Sequence, residues 1–440
     1  MKREPAVLVI GGGVAGIQAS LDLGERGLPV YLVEKTPSIG GRMAQLDKTF
    51  PTMDCSICIL APKMIEVSRQ PNVKLLTNSE VQEVSGEAGN FHVKVLKKAR
   101  FVDENKCVGC GTCATKCPVK CPDEFNMGLS ERRAIYVPFA QAVPRIYTID
   151  KEHCLYFTKG VCRICEKFCG AKAINFDQKD ETVELEIVSI VVSIGFDLFD
   201  PSVIKEYGYR RYKNVLTALE FERMISSTGP TNGRIIRLSD GKQPNTIAFI
   251  QCVGSRSLSE GYPYCSSVCC MFATKEAVLA KEHEPKTDVY IFYTDLMVSG
   301  KGFQDFANRA SREWGIKYVI GAKPGEIRED QKTRKLYFRY ENVDGKINEF
   351  ETDIVVLCNA LIPRRDSRKL ADILRVEVDD YGFFRTQHLP AAPTETTRHG
   401  IFVCGYCQEP MDIPDAVVRA SSAAAKASEI AASTPLKEAS

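Results

Sequence analysis

Two runs of cysteine carry the first chemistry that can be read from this chain. Cys107, Cys110, Cys113 and Cys117, followed by Pro118, form C-x2-C-x2-C-x3-C-P. Cys154, Cys162, Cys165 and Cys169 follow, the last three spaced x2 and x3. This is the ladder of a two-cluster bacterial ferredoxin, in which the fourth thiolate of each run binds the other cluster. A two-residue spacing lets one tight turn aim three sulfurs at one cluster, and the proline turns the chain away. Zinc and disulfides are the competing uses of such cysteines. The paired runs predict two [4Fe–4S] clusters and therefore one-electron transfer. Cys121, between the runs, reads as a packed thiol, as does Cys358.

A second constellation binds a dinucleotide. The apolar strand Ala6 to Ile10 runs into Gly11-Gly12-Gly13-Val14-Ala15-Gly16, a G-x-G-x-x-G that opens a helix closed by Gly27. A second strand, Pro29 to Val33, ends in Glu34. Gly11 makes the tight turn, Gly13 lets a pyrophosphate approach, and Gly16 lets helix and strand pack. The helix N-terminus, with Val14 and Ala15, faces the phosphates, and Glu34 is placed for ribose hydroxyls. A glycine-rich turn without nucleotide is the bland alternative. The pair Gly40-Gly41 just after the second strand favours FAD over NAD. Lys35, Gly41, Arg42 and Met43 there, with Val81 and Gly195 on later strands, complete the expected flavin contacts. Gly405 and the turn Asp412-Ile413-Pro414 are expected to bring a second helix N-terminus to the isoalloxazine, where it favours negative charge.

A later α/β unit lacks the equivalent phosphate loop. After the strand Thr246 to Ile250, a nicotinamide site would repeat the glycine fingerprint. The chain instead reads Gln251-Cys252-Val253-Gly254-Ser255-Arg256 and then Tyr264-Cys265-Ser-Ser-Val-Cys269-Cys270. Thiolates are good ligands for iron and poor neighbours for a diphosphate. Cys252, Cys265, Cys269 and Cys270 are therefore expected to hold a third [4Fe–4S] cluster; buried thiols used as small hydrophobes are the alternative. Cys55 and Cys58 form a C-x-x-C that reads three ways: a redox dithiol at the flavin, ligands of a fourth cluster, or packed thiols. Cys404 and Cys407, also C-x-x-C, are candidates to meet them. Lys275 and Glu222 are the candidate catalytic groups. A cation near flavin N5 would stabilise the anionic reduced flavin; a surface lysine is the competing reading.

The elements that must position these residues follow an α/β pattern of apolar strands and helices, long enough for two or three domains. A first flavin-domain segment spans 1–100, an inserted α+β ferredoxin module 101–178, a flavin-domain continuation 179–240, a second Rossmann-like unit 241–345, a last flavin-domain part 346–432 and a tail 433–440. Net charge is +2 and 26% of residues are charged, so nothing calls for nucleic acid or an anionic membrane. No apolar run approaches the ~20 residues of a membrane span. The start Met1-Lys2-Arg3-Glu4 shows no leader pattern, and 18 cysteines without one point to metal centres in a reducing cytoplasm.

Longer motifs carry a resemblance. Phe50-Pro51-Thr52-Met53-Asp54-Cys55-Ser-Ile-Cys58, Glu124-Phe125-Asn126 with Gly128-Leu129, and Pro138-Phe139-Ala140-Gln141-Ala142-Val143-Pro144 are among them, as are Gln251 to Arg256, Cys269-Cys270-Met271, Cys407-Gln408 and Asp412-Ile413-Pro414. With these the chain resembles the A-type subunit of heterodisulfide reductase, which is the flavin subunit of electron-bifurcating complexes. The resemblance implies a thioredoxin-reductase-like, two-dinucleotide-binding flavoprotein fold with FAD, an inserted two-cluster ferredoxin and the extra cluster. The family's long members carry further cluster domains at both ends, which this shorter chain does not show. The expected role is an FAD and iron–sulfur electron-transfer subunit that passes, or bifurcates, electrons between clusters. Its expected partners are subunits of the B and C type and a ferredoxin or hydrogenase-type donor; a homodimer is a further expectation. The alternative is an NAD(P)H-dependent disulfide oxidoreductase of the thioredoxin-reductase type.

Overall fold

The structure, a computed structural model, describes residues 5–321 and 323–434. The expected leaderless start at Met1 to Glu4 and most of the tail, 435–440, lie outside the described residues. The chain divides into two compact units. The first is built from residues up to 44, from 59–196 and from 363 on; the second is built from 45–58 and 197–362.

The first unit is organised by five parallel strands in the order 401–403, 189–192, 7–10, 30–34, 73–77. Strands covered on both faces read as unbroken apolar runs, and Val7–Ile10 and Ser189–Val192 are buried throughout. The helix Val14–Glu25 packs beside Ile413–Ser433. The second helix buries Ala416, Ala420, Ala423, Ala424, Ala427 and Ala431, small residues that permit close approach. The Ser421 hydroxyl donates to Asp22 across this seam at 2.6 Å.

An antiparallel sheet of 181–187, 90–97 and 79–87 completes the flavin-side scaffold. Its register explains how a ferredoxin can sit inside another domain. Lys97, which ends one strand, lies opposite Glu181, which begins the next. The intervening residues are therefore an enlarged hairpin loop, and its closure costs the host sheet little. The insert has its own core, with Phe101, Val102, Ile135, Tyr147, Ile149 and Phe176 buried around the cysteine loops.

The second unit holds five parallel strands in the order 215–217, 354–359, 246–253, 288–293, 317–320. The chain enters it at Asp197 and leaves after Ile362, outside the expected limits of 241 and 345. The reason is strand pairing: Val215–Thr217 and Ile354–Asn359, which fall in the segments expected to belong to the flavin domain, pair with each other, and Ile354–Asn359 also pairs with Thr246–Val253.

Candidate functional site

The glycine turn of the first unit has the shape of a phosphate cradle. Gly11 sits at φ 107°, and a Cβ there would come within 2.5 Å of the Ser193 carbonyl oxygen. A Cβ on Gly16 would run into the Gly11 carbonyl oxygen. A Cβ on Gly13 would meet nothing within 4 Å. Gly11 and Gly16 are thus demanded by the fold, whereas the space at Gly13 is left for a ligand. Gly13 caps the helix Val14–Glu25 without any side-chain hydrogen bond, so the first-turn amides of Val14 and Ala15 remain donors for an anion. Glu34 Oε2 accepts from the Gly12 N–H at 2.7 Å, and Oε1 accepts from the Thr36 amide and hydroxyl. The carboxylate is fixed beside the turn, and Oε2 keeps a lone pair for a ribose hydroxyl.

Other expected contacts gather in the same unit. A Cβ on Gly41, which has φ 56°, would approach the Gly13 Cα to 2.9 Å, and one on Gly405 would approach Ala15 Cβ to 3.0 Å. Both segments therefore close on the fingerprint helix. Gly195 is also left-handed, at φ 71°. Arg42 and Met43 lie in the short helix beginning at Gly41, with Met43 buried. The Asp412 carboxylate caps the helix Ile413–Ser433 by accepting from the Asp415 N–H at 2.9 Å. Val81 lies at a bulge, its side chain in the core. Lys35 is half exposed and engaged by Asp366 at 2.7 Å, an ion pair that sequence reading does not reveal. These groups fit FAD.

The ferredoxin insert fits iron–sulfur clusters. Cys117, Cys154, Cys162 and Cys165 line one cavity, closed by Pro118, Ala134, Ile135, Ile149 and Ile164. This is the crossover set: three thiols of the second run with the fourth of the first. Burial pushes the Cys113 and Cys165 thiols up to about 12, and neighbouring thiols add to the shift. A metal must therefore displace those protons to bind there. Val143, in the insert, joins the segment after Glu34. The Ile39 N–H donates to the Val143 carbonyl at 3.0 Å, and the Val143 N–H donates to Ser38 Oγ at 2.8 Å.

In the second unit the strand Thr246–Val253 delivers Cys252, and the helix Cys269–His283 begins on Cys269 and Cys270. Cys252, Cys269 and Cys270 are buried and Cys265 is partly exposed. Burial raises the Cys269 thiol well above its ordinary value, with Cys270, Cys252 and Cys265 adding to it; Cys270 rises to about 11 for the same kind of reason. These thiols therefore lie within electrostatic reach of one another. Both side-chain polar atoms of Gln251, which is 2% exposed, have no protein partner. Thiols supplied by one strand end, one loop and one helix start are a donor set that fits iron, and the orphaned atoms of Gln251 leave buried polar capacity one residue from Cys252.

Lys275 and Glu222 meet in the interior of this unit. Lys275 Nζ donates to Glu222 Oε2 at 2.5 Å, and the side chains are 1% and 0% exposed. The surface reading of Lys275 is thereby overturned. Glu222 Oε1 accepts from the Asp47 N–H at 2.6 Å. Sequence reasoning missed Glu276, which is also buried, with one oxygen unpartnered. Burial, and then the Glu222 carboxylate, raise its pKa well above the ordinary value. A lone glutamate in a helix gives no sequence signal of such a place.

The two remaining C-x-x-C pairs differ. Cys55 and Cys58 form a disulfide at the start of the helix Ser56–Arg69, where the Cys58 N–H donates to Cys55 Sγ at 3.3 Å. Cys404 and Cys407 are free thiols, both buried. Cys407 Sγ donates to the carbonyls of Cys404, at 3.3 Å, and Val192, at 3.7 Å. Burial raises both thiols. Cys121 lies with Asp150 and His153 in a metal-like triad. Arg132 fills the cation's place, with nitrogens 3.1 Å from Cys121 Sγ and 3.0 Å from Asp150 Oδ2.

Comparison with known proteins agrees with this geometry. Residues 6–54 match the family described as FAD dependent oxidoreductase, and residues 100–123 match the 4Fe-4S binding domain. The chain is 52% identical to the A-type iron-sulfur subunit of the CoB–CoM heterodisulfide reductase of Methanocaldococcus jannaschii, over 97% of this chain and 64% of that protein. It is 43% identical to a protein of Archaeoglobus profundus described as like the A-type subunit of heterodisulfide reductase, over 98% of this chain and 67% of that one. Among solved structures, thioredoxin reductase of Lactococcus lactis superposes with a TM-score of 0.53 at 15% identity, over 98% of this chain and 99% of that one. The last likeness shows a thioredoxin-reductase-like fold. The chain spans just under two thirds of the Methanocaldococcus protein's length. It belongs to the family of heterodisulfide reductase A-type subunits.

Proposed function

We propose that this member of the heterodisulfide reductase A-type family passes electrons between three [4Fe–4S] clusters by way of one FAD, in a complex whose other subunits supply the substrates. The observation that carries the reading is the group Cys252, Cys265, Cys269 and Cys270, standing where a nicotinamide-binding unit keeps its phosphate loop. Bound FAD would exchange single electrons with clusters and pairs with a two-electron partner.

The chain's own residues support this reading. The open side of Gly13 and the amides of Val14 and Ala15 hold the pyrophosphate. Gly41 and Gly405 close on the same helix. The bonds of Val143 to Ser38 and Ile39 fasten the ferredoxin insert to the loop that follows Glu34. The Lys275 ammonium, held by Glu222, is the fixed charge we assign to the reduced flavin. The Cys55–Cys58 disulfide is assigned to exchange with a partner thiol, since Cys58 is exposed at a helix start. Partners of the B and C type, a ferredoxin or hydrogenase-type donor, self-association and a cytoplasmic place belong to the same proposal. Among the described residues no helix is long and apolar enough to cross a membrane.

Anaerobic stopped-flow at flavin wavelengths tests the reading. NADH and NADPH are expected to leave the flavin oxidised on the millisecond-to-second scale, while a reduced ferredoxin-type donor bleaches it. Fast, saturable bleaching by either nucleotide would restore the disulfide-reductase alternative.

A further inference from the structure

We infer that Arg256, seconded by Lys323, raises the reduction potential of the cluster at Cys252, Cys265, Cys269 and Cys270 above what four thiolates alone would set. The inference rests on the reading of those thiols as a cluster site and adds to it a role for two side chains outside the ligand set.

The loop that leaves the Thr246–Val253 strand doubles back on itself. Cys252, Gly254 and Arg256 all have left-handed backbone, with φ 58°, 79° and 52°. For a non-glycine residue that conformation is costly and persists only where the surroundings impose it. The Arg256 N–H donates to the Tyr264 carbonyl at 3.0 Å, which ties it to the residue before Cys265. Its guanidinium donates to Asp295 Oδ2 at 2.6 Å, and the backbone oxygen of the same Asp295 lies 3.8 Å from Cys270 Sγ. The cation is thus held between the Cys252–Cys265 side and the Cys270 side of the group. Lys323 Nζ donates to the Ser255 carbonyl at 3.0 Å, which places a second cation on the same loop.

A cluster with four thiolate ligands is an anion in both states. Reduction adds one electron and no proton, so the product carries one more negative charge. A fixed cation stabilises the more charged state more, and the potential rises. Asp295 opposes this, but its carboxylate is 57% exposed against 35% for Arg256, and water screens the more exposed charge more. The balance is positive. A plain surface ion pair would leave the potential alone.

The test is an anaerobic EPR-monitored redox titration of the full chain loaded with iron and FAD, with Cys269→Ser identifying the signal of this cluster. Arg256→Gln is expected to keep its iron while the ratio of reduced to oxidised cluster at the wild-type midpoint falls about tenfold, equivalent to ~59 mV for one electron. Lys323→Gln should shift it the same way by less, and Arg256→Lys, which keeps the charge, should hold the wild-type value. An unmoved midpoint in Arg256→Gln, or an equal shift in Arg256→Lys, would overturn the inference. If Arg256→Gln loses iron, Lys323→Gln decides: a negative shift sustains the electrostatic role and no shift removes it. If Cys269→Ser abolishes no signal, the cluster assignment itself has failed, and the inference with it.

Discussion

Ser38 and Val143, 105 residues apart in the chain, are joined by a hydrogen bond of 2.8 Å from the Val143 amide to the Ser38 hydroxyl. The bond links the ferredoxin insert to the segment that runs from Glu34 into Gly40 and Gly41. The insert is therefore attached to the segment that follows Glu34, in addition to the two strands from which it is inserted.

Ser38→Ala tests that attachment. Ser38 is buried, so the substitution leaves the Val143 N–H without its acceptor, at about 1–2 kcal/mol. We expect slower electron exchange between the ferredoxin clusters and the flavin, with iron content unchanged. Rapid-freeze EPR alongside flavin absorbance would show it. An unchanged rate would mean that this contact does not set the route.

Gly11 and Gly13 should separate folding from binding. Gly11→Ala puts a methyl against the Ser193 carbonyl and keeps a left-handed φ, so the apoprotein itself should be destabilised. Gly13→Ala meets no protein atom; its apoprotein should melt as the wild type does, while FAD affinity falls at least tenfold, ~1.4 kcal/mol. Apoprotein melting curves and FAD titrations check the pair.

The Lys275–Glu222 pair should respond asymmetrically. Lys275→Ala leaves a buried carboxylate without its counter-ion, which costs roughly 3–5 kcal/mol. The double change Lys275→Met with Glu222→Leu should recover most of that stability while removing the charge proposed to act on the flavin. Denaturant unfolding of the loaded protein reads the first effect, and the flavin midpoint reads the second.

Glu276 gives a pH dependence of defined sign. Its folded pKa is raised above the ordinary 4.5, by burial and then by Glu222. At pH above the unfolded value, the folded protein keeps a proton that the unfolded chain releases. Stability contributed here is complete below that value and is lost as pH rises toward the folded pKa. Glu276→Gln, neutral at every pH, should show a shallower fall in unfolding free energy between about pH 5 and 8 than the wild type. Parallel slopes would place Glu276 outside the buried network.

Much of this was legible in the residues themselves. The glycine fingerprint, its strands and Glu34 form one local unit, and local spacing is what a sequence displays. The ferredoxin ladder is legible for the same reason. The limits of the second unit were not, because Val215–Thr217 and Ile354–Asn359 are assigned by their pairing with Thr246–Val253, a long-range fact. The C-x-x-C pattern could not separate Cys55–Cys58, a disulfide, from Cys404 and Cys407, two buried thiols bonded to carbonyls. Burial and neighbours decide there, and spacing does not record them. The same holds for Arg132, whose guanidinium bonds both Cys121 and Asp150 of what would otherwise read as a cation site.

The central claim is that a cluster replaces the nicotinamide phosphate loop, and cofactor content with and without Cys269 tests it most directly. Anaerobic iron and flavin analysis of the loaded chain should give one FAD and about 12 iron atoms, for three four-iron clusters. Cys269→Ser should fall to about 8 iron atoms, with FAD and the ferredoxin EPR signals retained. About 8 iron atoms in the unaltered chain, or a Cys269→Ser protein with full iron and unchanged spectra, would contradict the account.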